Sequence, residues 1–156
     1  MSIAYIGIGS NLGDRAHNCR RSIELLRQKG IIVEKESSLY ETEPWGVKSQ
    51  PLFLNMAIML ETKLHPGELL TILKDIEEKM GRGETFHWGP RIIDLDILLF
   101  DNLVMDKEDL KIPHPYLHKR EFVLRPLCEI AAYVQHPVLK LSMKELLQSL
   151  DSKDSS

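Results

Sequence analysis

The chain has 156 residues, of which 43% are hydrophobic, and this length and composition predict one folded domain with a buried core. Its formal net charge of −3 argues against a nucleic-acid-binding protein, because such proteins need a positively charged surface. No apolar run approaches the ~18 residues of a membrane span, and the two cysteines have no metal-like spacing, so we expect a soluble cytoplasmic protein.

The first part of the chain alternates between strand and helix patterns. Its predicted elements are a strand at about 3–8, a helix from Asp14 to Lys29, a strand at 31–40, a loop from Thr42 to Pro51 and a strand at 52–61. Asp14 is a good N-cap for the helix, and Gly30 is a good residue to end it.

The second part of the chain begins with a helix whose first residue is Pro66. The apolar residues of that helix at helical spacing are Leu69, Leu70, Leu73, Ile76 and Met80. An aliphatic strand with two aspartates follows, then a loop with Pro113 and Pro115, a short helix around 125–132 and a terminal helix. Ser142 and Glu145 form a capping box for the terminal helix, and we expect 152–156 to be a frayed tail.

The element order βαββαβ predicts an α+β fold of the ferredoxin-like type, with an antiparallel sheet and both helices on one face. The rest of the chain adds a C-terminal loop and helical extension, so residues 1–156 form a single domain. The other face of the sheet must be covered by this extension or must hold a ligand. From strand alternation, Phe53, Asn55, Asp94 and Asp96 are expected on that face or at its rim.

The strand with the two aspartates is the most informative segment of the chain. Asp94 and Asp96 stand at i and i+2, so their carboxylates leave the same face roughly 6–7 Å apart, while Leu95, Ile97 and Leu99 are expected to face the core. Two carboxylates on an apolar strand repel each other, and a cation between them would offset this repulsion. Magnesium is a cation that such carboxylates commonly bind. The alternative is a pair of solvated acids at the rim of the sheet. The preceding Trp-Gly-Pro-Arg sequence favours the functional interpretation.

Three glycines near the start of the chain have two interpretations. Gly7, Gly9 and Gly13 follow a strand and precede a helix, as in a dinucleotide-binding fingerprint, but their spacing is one residue too long. A structural turn is the favoured interpretation. The chain has no P-loop sequence, so a bound triphosphate would need arginines and metal ions.

Seven blocks of sequence, taken in order, carry a family resemblance. They are Tyr5–Gly13, Tyr40–Gly46, Phe53–Asn55, Gly81–Arg82, Trp88–Asp96, Pro113–Tyr116 and Arg120–Phe122. In this order they closely resemble the 6-hydroxymethyl-7,8-dihydropterin pyrophosphokinases of folate biosynthesis. The resemblance implies transfer of pyrophosphate from ATP to the pterin hydroxymethyl group, with release of AMP and two Mg²⁺ ions as cofactors.

The resemblance also implies a role for individual residues. By position, Asp94 and Asp96 hold the metal ions, Arg82 and Arg91 are catalytic, Thr42, Trp45, Phe53, Asn55 and Phe122 bind the pterin, and Trp88, Ile97, His114, Tyr116 and Arg120 bind ATP. Stacked aromatic rings and a planar amide suit a flat heterocycle, and arginine forks suit phosphate. Glu77 is expected either to pair with an arginine such as Arg82 or to form a surface salt bridge.

Two other classes of function stay open at this stage. A D-x-D metal enzyme acting on a nucleotide-sugar would need a larger domain than this chain provides. A non-catalytic ligand-sensing module on the same scaffold would not need the two arginines and the two aspartates together. We expect a monomer that binds ATP and a reduced pterin and has no obligate protein partner.

Overall fold

The computed structural model describes residues 1–42, 52–81 and 92–154. Within these ranges the strands are β1 (Ser2–Ser10), β2 (Ile32–Glu36), β3 (Tyr40–Thr42), β4 (Phe53–Thr62), β5 (Asp94–Phe100), β6 (Met105–Lys107) and β7 (Leu110–Ile112). The helices are α1 (Arg15–Gln28), α2 (Pro66–Lys79), α3 (Glu121–Ala131) and α4 (Met143–Asp154), with a short 3₁₀ turn at Leu117–Lys119. Over the described ranges, no helix combines the length and the apolar character needed to cross a membrane.

The main sheet confirms the predicted ferredoxin-like fold. Its strand order is β2-β4-β1-β5, with β3 also paired to β4, and each of these pairs is antiparallel. The central strand β1 therefore pairs with β4 on one side and with β5 on the other. Asp14 caps α1 by accepting a hydrogen bond from the His17 backbone, and Gly30 follows the helix with a positive φ of 82°, as expected.

One face of the sheet packs against α1 and α2. The buried side chains of α2 are Leu69, Leu73, Ile76 and Glu77, while Leu70 and Met80 of the predicted stripe are only partly buried. Leu95, Ile97 and Phe100 of β5 contribute to this same core. This is the main hydrophobic core of the described residues.

The opposite face of the sheet is partly covered by α3 and α4, as the sequence required. A second hydrophobic cluster there includes Tyr5, Ala57, Leu98 and Leu99 of the sheet and Leu124 of α3. The expectation that Leu99 faces the same side as Leu95 is wrong. A register shift between Tyr5 and Ile6, in the pairing of β1 with β5, moves Leu99 to the α3 side.

The remaining differences from the sequence-based elements are local. The predicted strand 31–40 is two strands, β2 and β3, because residues 37–39 leave the ladder. The short helix begins at Glu121 rather than 125, and the hairpin of β6 and β7 was not predicted. Ser142 and Glu145 form the expected capping box, with bonds of 3.0 and 3.1 Å. Helix α4 extends to Asp154 and so includes part of the segment expected to be frayed.

Candidate active site

The two aspartates lie on β5, at the edge of the sheet. Asp94 is half-buried and Asp96 is exposed, while Leu95 and Ile97 between and after them are 4% exposed in the main core. The carboxylates therefore leave the face opposite to α1 and α2. This is the side that the sequence predicted for them.

Glu77 of α2 supports the strand that carries the aspartates. Its carboxylate oxygen Oε2 accepts a hydrogen bond of 2.8 Å from the backbone N–H of Leu95, and the residue is only 6% exposed. The prediction of a surface salt bridge for Glu77 is therefore wrong, and Arg82 lies outside the described residues. A buried carboxylate that satisfies the N–H between Asp94 and Asp96 fixes the backbone on which both stand.

Arg120 brings positive charge to the two carboxylates. Burial lowers the pKa of the Arg120 guanidinium, and the negative charges of Asp96 and Asp94 oppose that shift. The guanidinium carbon lies 5.0 Å from the ring centre of Tyr116 and 5.6 Å from that of Phe122. Three residues predicted for substrate binding thus form one stacked group beside the aspartates.

His114 lies next to this group and is neutral. Its backbone N–H donates to the carbonyl of Leu98 on β5 at 3.0 Å, and its Nδ1 accepts from the backbone N–H of Tyr116 at 3.3 Å. Burial, and then the positive charge of Arg120, lower the pKa of His114 to about 4. At neutral pH its proton is therefore on Nε2, which makes the side chain a hydrogen-bond donor without a charge.

Three of the five residues predicted to bind the pterin, Thr42, Phe53 and Asn55, lie on the pair β3 and β4. Thr42 is directly opposite Phe53, and Tyr40 is opposite Asn55. The Asn55 amide donates from Nδ2 to the Thr42 hydroxyl at 2.5 Å, which orients the amide. This bond uses one N–H of the amide and leaves the second N–H and the carbonyl oxygen. The side chain can therefore offer both a donor and an acceptor to a ligand.

Two glycines of β1 lie between the aspartates and the amide. Gly9 pairs with Asn55 on one side and with Asp94 on the other, and Gly7 pairs with Ala57 and Asp96. Paired residues share a face, so at these two positions β1 places no side chain of its own between the aspartates and the amide. A Cβ at Gly9 would lie only 2.9 Å from Oδ1 of Asn55, which explains why this strand position needs glycine.

Sequence reasoning missed this role of the glycines. Both proposed interpretations, a dinucleotide fingerprint and a turn, are wrong for Gly7 and Gly9, which lie inside a strand. The turn interpretation fits Gly13, which has a φ of +74° just before α1. The spacing of Gly7 and Gly9, two residues apart in an apolar strand, was the available signal for their role, because it places both on one face of the sheet.

The described residues bring together most of the predicted site. One group contains Asp94, Asp96, His114, Tyr116, Arg120 and Phe122, and the other contains Thr42, Phe53 and Asn55. The side chain of Ile97 joins neither group, because it is buried on the other side of the sheet. Trp45, Arg82, Trp88 and Arg91 lie outside the described residues.

Comparison with known proteins identifies the family of the chain. A family model described as 7,8-dihydro-6-hydroxymethylpterin-pyrophosphokinase matches residues 5–132. A protein of Aquifex aeolicus named 2-amino-4-hydroxy-6-hydroxymethyldihydropteridine pyrophosphokinase is 44% identical over 93% of this chain and 90% of its own length. The Bacillus subtilis protein of the same name is 47% identical over 86% of this chain and 81% of its own length.

A solved structure supports the fold. The crystal structure of Plasmodium falciparum HPPK-DHPS wild type with pteroate matches 97% of this chain with a TM-score of 0.80 and 17% sequence identity. The match spans 45% of that longer chain. Taken with the family model and the two bacterial relatives, this places the chain in the 7,8-dihydro-6-hydroxymethylpterin-pyrophosphokinase family.

Proposed function

We propose that this chain transfers pyrophosphate from ATP to the hydroxymethyl group of 6-hydroxymethyl-7,8-dihydropterin, releasing AMP, as a step of folate biosynthesis. One observation carries the proposal. Two carboxylates and an oriented amide share one face of the sheet, separated by a strand whose facing residues are Gly7 and Gly9. This arrangement suits a metal-bound triphosphate beside a flat, hydrogen-bonding ring.

On the pterin side, Asn55 is the recognition residue. With one N–H engaged by Thr42, the amide still offers a donor and an acceptor, which match the edge of a pterin ring. The half-buried Phe53 and Phe122 supply aromatic faces for stacking. We include Trp45 in this pocket on the strength of the family resemblance.

On the nucleotide side, Asp94 and Asp96 would hold the two Mg²⁺ ions. Their oxygens are the hard ligands that magnesium prefers, and two carboxylates leave coordination positions for phosphate and water, so the donor set fits. When bound, magnesium would neutralise the triphosphate and make its phosphorus atoms easier to attack. Arg120 adds a fixed positive charge and His114 an uncharged donor, both suited to phosphate oxygens.

The other nucleotide residues follow from the family resemblance. They are Trp88, Ile97 and Tyr116. Since the Ile97 side chain is buried in the core, its contribution would come from the backbone of β5.

In the proposed reaction the pterin hydroxyl oxygen attacks the β-phosphorus of ATP. The bond between that phosphorus and the α,β-bridging oxygen breaks, the bridging oxygen leaves with AMP, and the hydroxyl proton passes to solvent. Arg82 and Arg91 would stabilise the charge that develops on the bridging and transferred oxygens. Their guanidinium forks suit this task better than lysine would.

The identity of the nucleotide product tests the proposal. Purified protein is incubated with MgATP and 6-hydroxymethyl-7,8-dihydropterin, and the quenched reaction is analysed by phosphorus NMR and chromatography. We expect one AMP and one pterin diphosphate for each ATP consumed, and no turnover when EDTA removes the magnesium. ADP as the main product, or ATP consumption without pterin, would contradict the proposal, and binding without any turnover would favour a ligand-sensing module.

A further inference from the structure

A polar cluster outside the candidate site joins α3 to the edge of the sheet. The Glu129 carboxylate accepts hydrogen bonds from the backbone N–H of Ser38 at 2.8 Å, from the Ser38 hydroxyl at 2.7 Å and from the Tyr40 hydroxyl at 2.8 Å. We call Glu129, Ser38 and Tyr40 the Glu129 anchor. Hydrogen bonds to an ionised group are about twice as strong as those between neutral groups, and three of them meet on this one exposed carboxylate.

The protonation states agree with this geometry. Hydrogen bonding from the Ser38 side chain, and further bonds from its backbone and from Tyr40, lower the pKa of Glu129. The same contact raises the pKa of Tyr40, because its proton is held by the carboxylate. At neutral pH the carboxylate is therefore ionised and the phenol is protonated, as the bonds require.

The anchor holds the strand that positions the Asn55 amide. β3 has three residues and pairs only with β4 among the described strands, so few ladder bonds fix its register. Tyr40 begins β3 and lies opposite Asn55, and Thr42 ends β3 and accepts the Asn55 bond. A shift of β3 along β4 would therefore separate the Thr42 hydroxyl from the amide.

A second side-chain attachment of β3 is at its middle residue, Glu41. The Arg15 guanidinium donates to the Glu41 carboxylate at 2.8 Å and to the Leu52 carbonyl at 2.6 Å. The side chains of this ion pair are 29% and 49% exposed, and such pairs contribute little in water. Glu129 receives three hydrogen bonds from Ser38 and Tyr40, whereas Arg15 makes one to Glu41, so Glu129 makes the larger number of described side-chain bonds to residues 38–42.

We propose that Glu129 is a positioning residue for the pterin, which acts by holding β3 in register so that Thr42 orients Asn55. The inference rests on the proposed role of Thr42 and Asn55 in pterin binding. Asp94 and Asp96 lie on β5, beyond β1, so β3 does not position these two carboxylates. Loss of the carboxylate should therefore affect the pterin selectively.

Steady-state kinetics of the full chain test this, with MgATP and 6-hydroxymethyl-7,8-dihydropterin varied in turn. Glu129→Gln keeps the shape but removes the charge and one acceptor oxygen. We expect it to raise the KM for the pterin about tenfold, which corresponds to ~1.4 kcal/mol, with the KM for ATP and kcat within about twofold of wild type. Tyr40→Phe should give the same pattern with a smaller rise.

A double-mutant cycle separates positioning from general destabilisation. Combined with Thr42→Val, Glu129→Gln should raise the pterin KM little further, because both changes act through the same bond. The matched control is Asp151→Asn. Asp151 on α4 accepts a 2.9 Å hydrogen bond from Arg125, which lies on α3 like Glu129, but Asp151 does not belong to the anchor. We expect this control to leave the pterin KM unchanged.

The outcomes are distinct. A Glu129→Gln variant that melts at a lower temperature but keeps the wild-type pterin KM, or that changes both KM values and kcat together, would overturn the inference. If the variant does not fold, Tyr40→Phe decides by the same criteria. If Thr42→Val and Asn55→Ala leave the pterin KM unchanged, the proposed pterin site itself is wrong. If these two variants raise the pterin KM but Glu129→Gln and Tyr40→Phe do not, only the positioning role of Glu129 fails.

Discussion

Replacing Gly9 with alanine tests the close packing of β1 against the Asn55 side chain. A Cβ at this position would lie 2.9 Å from Oδ1 of Asn55 and 3.5 Å from Cδ1 of Phe53. The first distance is shorter than two such atoms tolerate, and β1 is hydrogen-bonded to strands on both sides, so its backbone cannot yield. The Asn55 side chain has to move instead, and its 2.5 Å bond to Thr42 is lost.

The expected magnitudes differ for stability and for binding. Loss of the bond between Asn55 and Thr42 costs about 1 kcal/mol, and alanine in place of glycine inside a strand recovers about 0.5–1 kcal/mol. The free energy of unfolding should therefore change by less than about 1 kcal/mol. A displaced amide would lose the two hydrogen bonds that we propose it makes to the pterin, about 1–3 kcal/mol in total, which would raise the pterin KM about 5- to 150-fold.

Urea unfolding and steady-state kinetics measure the two quantities, and Gly7→Ala is the matched control. Gly7 lies two positions before Gly9, on the same face of β1. A Cβ at Gly7 would meet the end of the Leu98 side chain at 3.4 Å, an ordinary contact distance. The control should keep a pterin KM within about threefold of wild type. A wild-type pterin KM in Gly9→Ala, or equal effects in the two variants, would refute the argument.

Two further predictions concern the metal pair and the response to acid. We expect MgATP to raise the melting temperature of the wild-type protein, and Asp94→Ala and Asp96→Ala each to abolish both this rise and turnover while the variants stay folded by circular dichroism. Wild-type turnover in either variant would exclude the metal role. Burial, and then the positive charge of His118, lower the pKa of His136, whose Nδ1 accepts bonds of 3.2 and 3.0 Å from backbone N–H groups. The unfolded chain therefore takes up this proton first as the pH falls below about 6.5, so His136 should lower the unfolding free energy by up to ~1.4 kcal/mol per pH unit. His114, whose pKa is also lowered, adds a slope of its own, so His136→Gln should remove only the share of the slope that comes from His136.

The periodic parts of the fold were predictable from the sequence, because each depends on local chemistry. The cap at Asp14, the end of α1 at Gly30 and the capping box of α4 lie where short-range rules place them. The side of Leu99 was not predictable, because the register shift that moves it arises from the pairing of β1 with β5. Alternation within a strand carries no information about such a shift.

The candidate site divides in the same way. Residue types and order were enough to single out Asp94, Asp96 and Asn55, whose side chains lie on the expected face. The hydrogen bond from Leu95 to Glu77 was not predictable, since it joins residues 18 positions apart through the edge of a sheet. The Glu129 anchor spans 89 to 91 residues and leaves no local pattern in the sequence.

The central position of β1 in the sheet also has a consequence for the entropy of binding. Because β1 is bonded to a strand on each side and its neighbouring residues Ile6 and Ile8 are fully buried, we expect the amide groups of Gly7 and Gly9 to exchange with solvent only on global unfolding. A ligand that rests on this strand meets a backbone that is already ordered. The conformational entropy lost on binding then comes from side chains such as Asn55 and Phe53, and the backbone of β1 contributes almost none of it.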